Sequence, residues 1–142
     1  MPSKRSFEKK KSDAIAENEA RYGEEARSRW GNKTVDAANE KLRGLSEQQW
    51  EEAQALGEKI IERLKQAMAE GNPQSAAAQE LVELHAKWLR IYWPEGLYSP
   101  QAHVSLAEGY LAAPRFVQYY DSRAGSGATE FLVKAIKAAL KG

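Results

Sequence analysis

The segment from Ser46 to Pro73, SEQQWEEAQALGEKIIERLKQAMAEGNP, is the strongest constraint on the fold. Ser46 and Gln49 have capping-box spacing: the serine hydroxyl covers a free N–H and the glutamine side chain reaches back. Trp50, Ala53, Gly57, Ile60, Ile61, Leu64 and Met68 then recur at helical spacing and form one apolar stripe. Gly71 supplies the stop and Pro73 confirms it. Gly57 lies within the stripe, which predicts that another backbone approaches closely there.

Such a helix needs partners of its own kind. β-Branched residues are too sparse and scattered for strands, whereas helical periodicity runs through nearly the whole chain. A first helix is expected from about Ser12, with Ile15, Tyr22, Ala26 and Trp30 near one stripe and Gly23 as a kink or division. Thr34 can cap a short second helix reaching about Arg43. A fourth helix, from about Ser75 to Tyr92, carries Ala78, Leu81, Val82, His85, Trp88, Leu89 and Tyr92 on one face and ends before Pro94. Ser99-Pro100 reads as N-cap and N1 of a fifth helix, with Ala102, His103, Leu106, Gly109 and Tyr110 inward. Pro114 opens a short sixth helix, and after RAGSGA the last helix turns Phe131, Leu132, Ala135, Ile136 and Leu140 to one side. Its lysines, Lys134, Lys137 and Lys141, face mostly the other way and suit the C-terminal end of the helix dipole. About seven short helices in one all-α domain are the expectation.

The 142 residues suffice for one domain with a useful core. A net charge of +1 gives no global field toward nucleic acid or membrane, and the basic residues of positions 1–11 read as a solvated, frayed tail. The chain has no cysteine, which excludes disulfides, thiolate metal sites and cysteine nucleophiles and fits a cytoplasmic protein. No apolar run is long enough to span a bilayer. His85 and His103, the two histidines, show no metal-ligand spacing, and no phosphate-binding glycine loop or nucleophile elbow occurs. The expectation is a non-catalytic protein without cofactor or metal, which does not itself bind nucleic acid.

The chemistry that stands out lies between His85 and His103, HAKWLRIYWPEGLYSPQAH. It joins two tryptophans, two tyrosines and both histidines, each an apolar body with a polar tip, as suits a semi-apolar ligand with amide and hydroxyl groups. Spacing alone leaves core and pocket open for this corner.

Longer runs add a family resemblance. HVSLAEGYLAAPRFVQYYD (His103–Asp121) with FLVKAIKAAL, FEKKKSDAIAENEARYGEEARSRWG (Phe7–Gly31), SEQQW and the HxxW of His85 and Trp88 together resemble the TipAS antibiotic-recognition domain. The resemblance implies a globin-like, all-α fold with a deep groove for thiopeptides and other bulky peptide-like antibiotics. Such domains are usually effector halves of MerR-type activators, or free antibiotic-sequestering proteins. The helix-turn-helix and coiled coil of the regulators have no counterpart in this chain. The resemblance also implies that residues 12–44 order over the ligand as a lid on a core of residues 46–142. Founding members carry a cysteine in the loop before the fifth helix; Trp93–Gln101 has none, with Tyr98 near that position, so binding is expected to be non-covalent.

The expected ligand wall comprises His85, Trp88, Leu89, Trp93, Tyr98, His103, Tyr110, Phe116 and Tyr119, with His103, Trp88 and Trp93 foremost. Tyr22 and Trp30 are expected to close on the ligand from the lid. A monomer is the expected state. The competing reading is a helical interaction domain whose aromatic groove takes a partner's helix or peptide.

Overall fold

The third helix, α3 (Glu47–Glu70), carries the cap that its sequence specifies. The Ser46 hydroxyl accepts from Gln49 N–H at 3.1 Å, and Ser46 N–H donates to the Gln49 side chain at 2.9 Å. Gly71 ends the helix at φ 74°, a left-handed conformation that costs glycine little. The structure is a computed structural model describing residues 4–140; the side chains of Lys4, Arg5, Arg21, Tyr22 and Arg29 lie outside the description.

Around α3 stand α1 (Lys4–Trp30), α2 (Asn32–Arg43), α4 (Ala76–Tyr92), α5 (Pro100–Tyr110), α6 (Pro114–Ala124) and α7 (Ala128–Leu140), with no strand among the described residues. The chain is an all-α bundle. Ser75 and Ser99 cap α4 and α5 as their sequences indicate, accepting from Ala78 N–H and Ala102 N–H. Helix α7 is the hub, packing against α3, α4, α5 and α6. Leu132 and Ile136 of α7 meet Leu64 of α3 and Leu81 of α4 in a core where all four are fully buried. At the start of α7, Asp121 accepts from Gly127 N–H, Thr129 N–H and the Thr129 hydroxyl. The Thr129 amide, first among these donors, holds the Asp121 carboxyl below its usual pKa.

Gly57 differs from expectation. A side-chain carbon there would meet only the indole nitrogen of Trp88, at 3.6 Å, so a side chain rather than a backbone faces it. Gly23 does not divide α1, which runs through it as one helix. The place of a Gly23 side chain is taken by the Glu19 carboxylate.

The largest departure is at the N-terminus. Helix α1 begins at Lys4, not near Ser12, so most of positions 1–11 belong to it and do not form a separate tail. Phe7, Lys11 and Ile15 recur every four residues and are all buried. Phe7 packs edge-on to Trp50, with ring centroids 6.2 Å apart. Lys11 passes its Nζ beneath Phe7 and donates to the carbonyls of Arg43 and Leu45 at the end of α2. A lysine reads as a solvated residue in sequence, but its stem is apolar and its charge suits a helix C-terminus.

Helices α1 and α2 thus form a hairpin that rests on the bundle at a second, smaller core of Ile15, Leu42 and Leu45 against Trp50, Ile91 and Tyr92. Lys41 adds a polar tie, donating at 2.6 Å to the carbonyls of both Arg90 and Trp93 at the end of α4. Replacing Lys11 with Met keeps the stem and strands buried carbonyls, at an expected cost of about 1–3 kcal/mol. Amide exchange should then speed up in α1 and α2 while the α3–α7 core stays protected; unchanged exchange in the hairpin would contradict this role for Lys11.

Candidate functional site: an aromatic cavity under the hairpin

Between the hairpin and the bundle lies a cavity of about 730 Å³, within the size range of small-molecule sites. Its bundle side is aromatic. Trp88, Tyr92 and Trp93 come from the end of α4, Tyr110 from α5, and Phe116, Tyr119 and Tyr120 from α6. Leu89 and Leu106 fill between them. The rings brace one another: Trp88 meets Tyr92 edge-on at 5.1 Å, Tyr110 lies 4.8 Å from Phe116, and Tyr119 meets Tyr120 edge-on at 5.0 Å. Such packing fixes ring orientation and keeps the aromatic faces pre-set.

The roof is more polar. Ala14, Gly23 and Ala26 of α1 and Val35 of α2 give it small apolar surfaces, while Glu19 and Asn39 bring polar groups. The Glu19 carboxylate accepts from Arg27 and, at 2.9 Å, from Asn39, and these bonds hold its pKa below the ordinary value, Arg27 first. Arg27 also bonds Asp36 at 2.8 Å, so the network staples α1 to α2. Across the mouth, Arg115 of α6 lies over the Phe116 ring and pairs with Glu25 of α1 at 3.2 Å.

Six of the nine expected wall residues line this cavity: Trp88, Leu89, Trp93, Tyr110, Phe116 and Tyr119. His85 and His103 do not. Both are fully buried behind the wall. Tyr98 lines a separate groove beside Arg90 and Ser99, with the Arg90 guanidinium 4.5 Å above its ring. Trp30 is not a lining residue, although its ring sits 6.5 Å from that of Trp93. The Tyr22 side chain lies outside the described residues. The expected wall omitted Trp50, Tyr92, Tyr120, Arg115, Glu19 and Asn39. Tyr92 was within reach, being four residues beyond Trp88 on the same stripe. Nothing in the sequence placed Glu19 and Asn39 here, because their position follows from how the hairpin docks.

The histidines are instead the support of the wall. His85 Nδ1 and His103 Nε2 are 2.7 Å apart, His103 Nδ1 is 3.0 Å from the Tyr98 hydroxyl, and His85 Nε2 is 3.2 Å from that of Tyr110. Tyr120 extends the chain by donating to the Tyr110 oxygen at 3.5 Å. One ordering pairs every buried donor. Tyr120 donates to Tyr110, Tyr110 to His85 Nε2, His85 Nδ1–H to His103, and His103 Nδ1–H to Tyr98, whose own proton is at the half-buried end. In the reverse order His85 Nε2–H donates to the Tyr110 oxygen or to that of Tyr120, 3.4 Å away, and one of the two buried hydroxyl protons is left without an acceptor.

Burial keeps both imidazoles neutral. It lowers the His85 pKa to about 3, with His103 as a second cause, and that of His103 to about 4, with Arg90 as a second cause. Burial likewise pushes the Tyr110 hydroxyl up to about 12.

A model of the TipAS antibiotic-recognition domain matches residues 22–139. The chain belongs to this family. Comparison with curated proteins and with solved structures gave no match. In this TipAS domain the family match spans α2 to α6 in full, with most of α7 and the last turns of α1, and so takes in every aromatic residue of the cavity wall.

Because an unfolded histidine binds protons below about pH 6.5 and these buried ones do not until about pH 4 or 3, stability is full above pH 6.5 and falls as pH drops. Denaturation should show a loss of about 2–3 kcal/mol between pH 7.5 and 5.5. His103→Asn should lower overall stability and about halve that loss. A flat profile from pH 7.5 to 5.5 would show that the imidazoles are not held neutral.

Proposed function

We propose that this TipAS domain binds a bulky, peptide-like antibiotic, of which thiopeptides are the leading class, without chemical turnover. The observation that carries the reading is the cavity itself: an apolar, aromatic wall with braced rings beneath a roof of two helices. Heterocycles of the ligand stack on Trp88, Tyr92, Trp93 and Phe116, and its amide groups meet the polar edge made by Glu19, Asn39 and Arg115. With no cysteine in the chain, capture is non-covalent and reversible. The domain acts in the cytoplasm as the drug sensor of a MerR-type regulator or as a drug-sequestering resistance protein.

Hairpin docking supports the role of residues 12–44 as a lid. The hairpin reaches the bundle through a small apolar patch, the Lys41 tie and the Arg115–Glu25 pair, and it borders the cavity along much of its length. A molecule that fits 730 Å³ enters under a closed roof, and a larger one lifts the hairpin and is then covered by it.

Intrinsic tryptophan fluorescence tests the proposal directly. Titration with a thiopeptide such as thiostrepton, and with a panel of other peptide antibiotics, should quench or shift emission with a saturable profile. Trp88→Ala and Trp93→Ala should each weaken the tightest binder about tenfold or more, the loss of one stacked and buried ring. Amide exchange in α1 and α2 should slow with ligand bound. No response to any compound, with capture of a protein partner through the same surface, would replace this reading with that of an interaction domain.

A further inference from the structure

The cavity does not end at Trp88. Four of its wall residues, Gln54, Trp88, Tyr92 and Tyr119, are also walls of a groove of about 440 Å³ between α3 and α6. The groove continues past Gly57 toward Arg123. Trp88 therefore stands at the junction and borders both spaces.

The indole is held in a fixed pose. His85 lies 5.9 Å away on one side and Tyr92 meets it edge-on at 5.1 Å. Its nitrogen lies beside the bare backbone of Gly57, where an added Cβ would stand 3.6 Å from Nε1 and have no other neighbour within 4 Å. No acceptor among the described residues pairs with this N–H. It is also not among the fully buried atoms left unpaired, so the donor is open to the groove. A half-buried donor that is unpaired, reachable and facing a gap kept by glycine is what an acceptor subsite requires. Glycine is otherwise a poor choice for the middle of α3, since it weakens a helix relative to alanine.

We propose that Trp88 N–H, facing Gly57, is a hydrogen-bond subsite for a carbonyl oxygen of an elongated ligand. The aromatic body of that ligand fills the cavity and its tail follows the α3–α6 groove. This rests on the antibiotic-binding reading and narrows it: the ligand carries an amide-type carbonyl next to its buried ring system, with chain continuing beyond it. Gly57 is then a specificity-determining position, because any side chain there shields the donor.

Acetanilide, an aromatic ring with an amide carbonyl, and n-butylbenzene, a similar-sized molecule without an acceptor, are suitable NMR probes. Acetanilide should move the Trp88 indole proton downfield, assigned through Trp88→Phe, whereas n-butylbenzene should leave it near its free position. Both should shift the Leu89 and Leu106 methyl signals in the cavity. Gly57→Ala should raise the melting temperature by about 3–5 °C and weaken acetanilide binding about tenfold, a pairing of effects that misfolding cannot produce. Methyl shifts without an indole shift, or a Gly57→Ala protein that binds acetanilide as well as before, would overturn the subsite while leaving the cavity a binding site. Absence of any methyl or indole shift with either probe would overturn the cavity reading and the subsite with it.

Discussion

Two imidazoles in contact at the centre of the bundle fix where the aromatic wall can stand. His85 belongs to α4 and His103 to α5, and their nitrogens are 2.7 Å apart in a region closed to solvent. Neither ring can leave its place without stranding a buried donor or acceptor, so the two helices are held in one register. The same chain reaches Tyr110 and Tyr120, and through them α6, so three helices that line the cavity share one polar anchor. Apolar contacts alone are non-directional and would tolerate several packings of these rings. The hydrogen-bonded line selects one of them.

The hairpin is attached by different physics. Its helices have few large apolar residues facing the bundle, and lysines make up part of the difference. Lys11 closes the end of α2 from inside the hairpin, and Lys41 closes the end of α4 from outside it. In each case an ammonium meets carbonyls that the helix itself leaves without partners, where the backbone dipole favours positive charge. Such ties are specific in direction but bury little area, so a roof made this way is well placed and still separable from the bundle.

Much of the fold was legible because helix ends are local chemistry. Ser46-Gln49, Ser75, Ser99-Pro100 and Pro114 marked four starts correctly, since a cap depends on residues within one turn of it. The start of α1 was missed for the opposite reason. Phe7 and Lys11 are buried by α2 and by Trp50, and a pattern of lysines around one phenylalanine carries no sign of that partner. The lining of the candidate cavity was legible to the same depth. Trp88, Leu89, Trp93, Tyr110, Phe116 and Tyr119 could be singled out as amphipathic or aromatic residues near a corner. His85, lying on the same stripe as Trp88 and Leu89, could not be told from a wall residue.

The sequence by itself determined an all-α chain, the caps and stops of most of its helices, membership of the TipAS family, and the absence of any thiol for covalent capture. Only the tertiary structure decided which inward residues border empty space. Periodicity says that a side chain points toward other helices, but a cavity exists where two of those helices fail to meet, and that distance is set by contacts far away in the chain. The Lys41 tie spans about fifty residues, and the Glu25–Arg115 pair joins α1 to α6 across a separation that no local pattern records. For that reason His103 moved from expected wall to hidden support, and Gly57 from a helix crossing to the open side of Trp88.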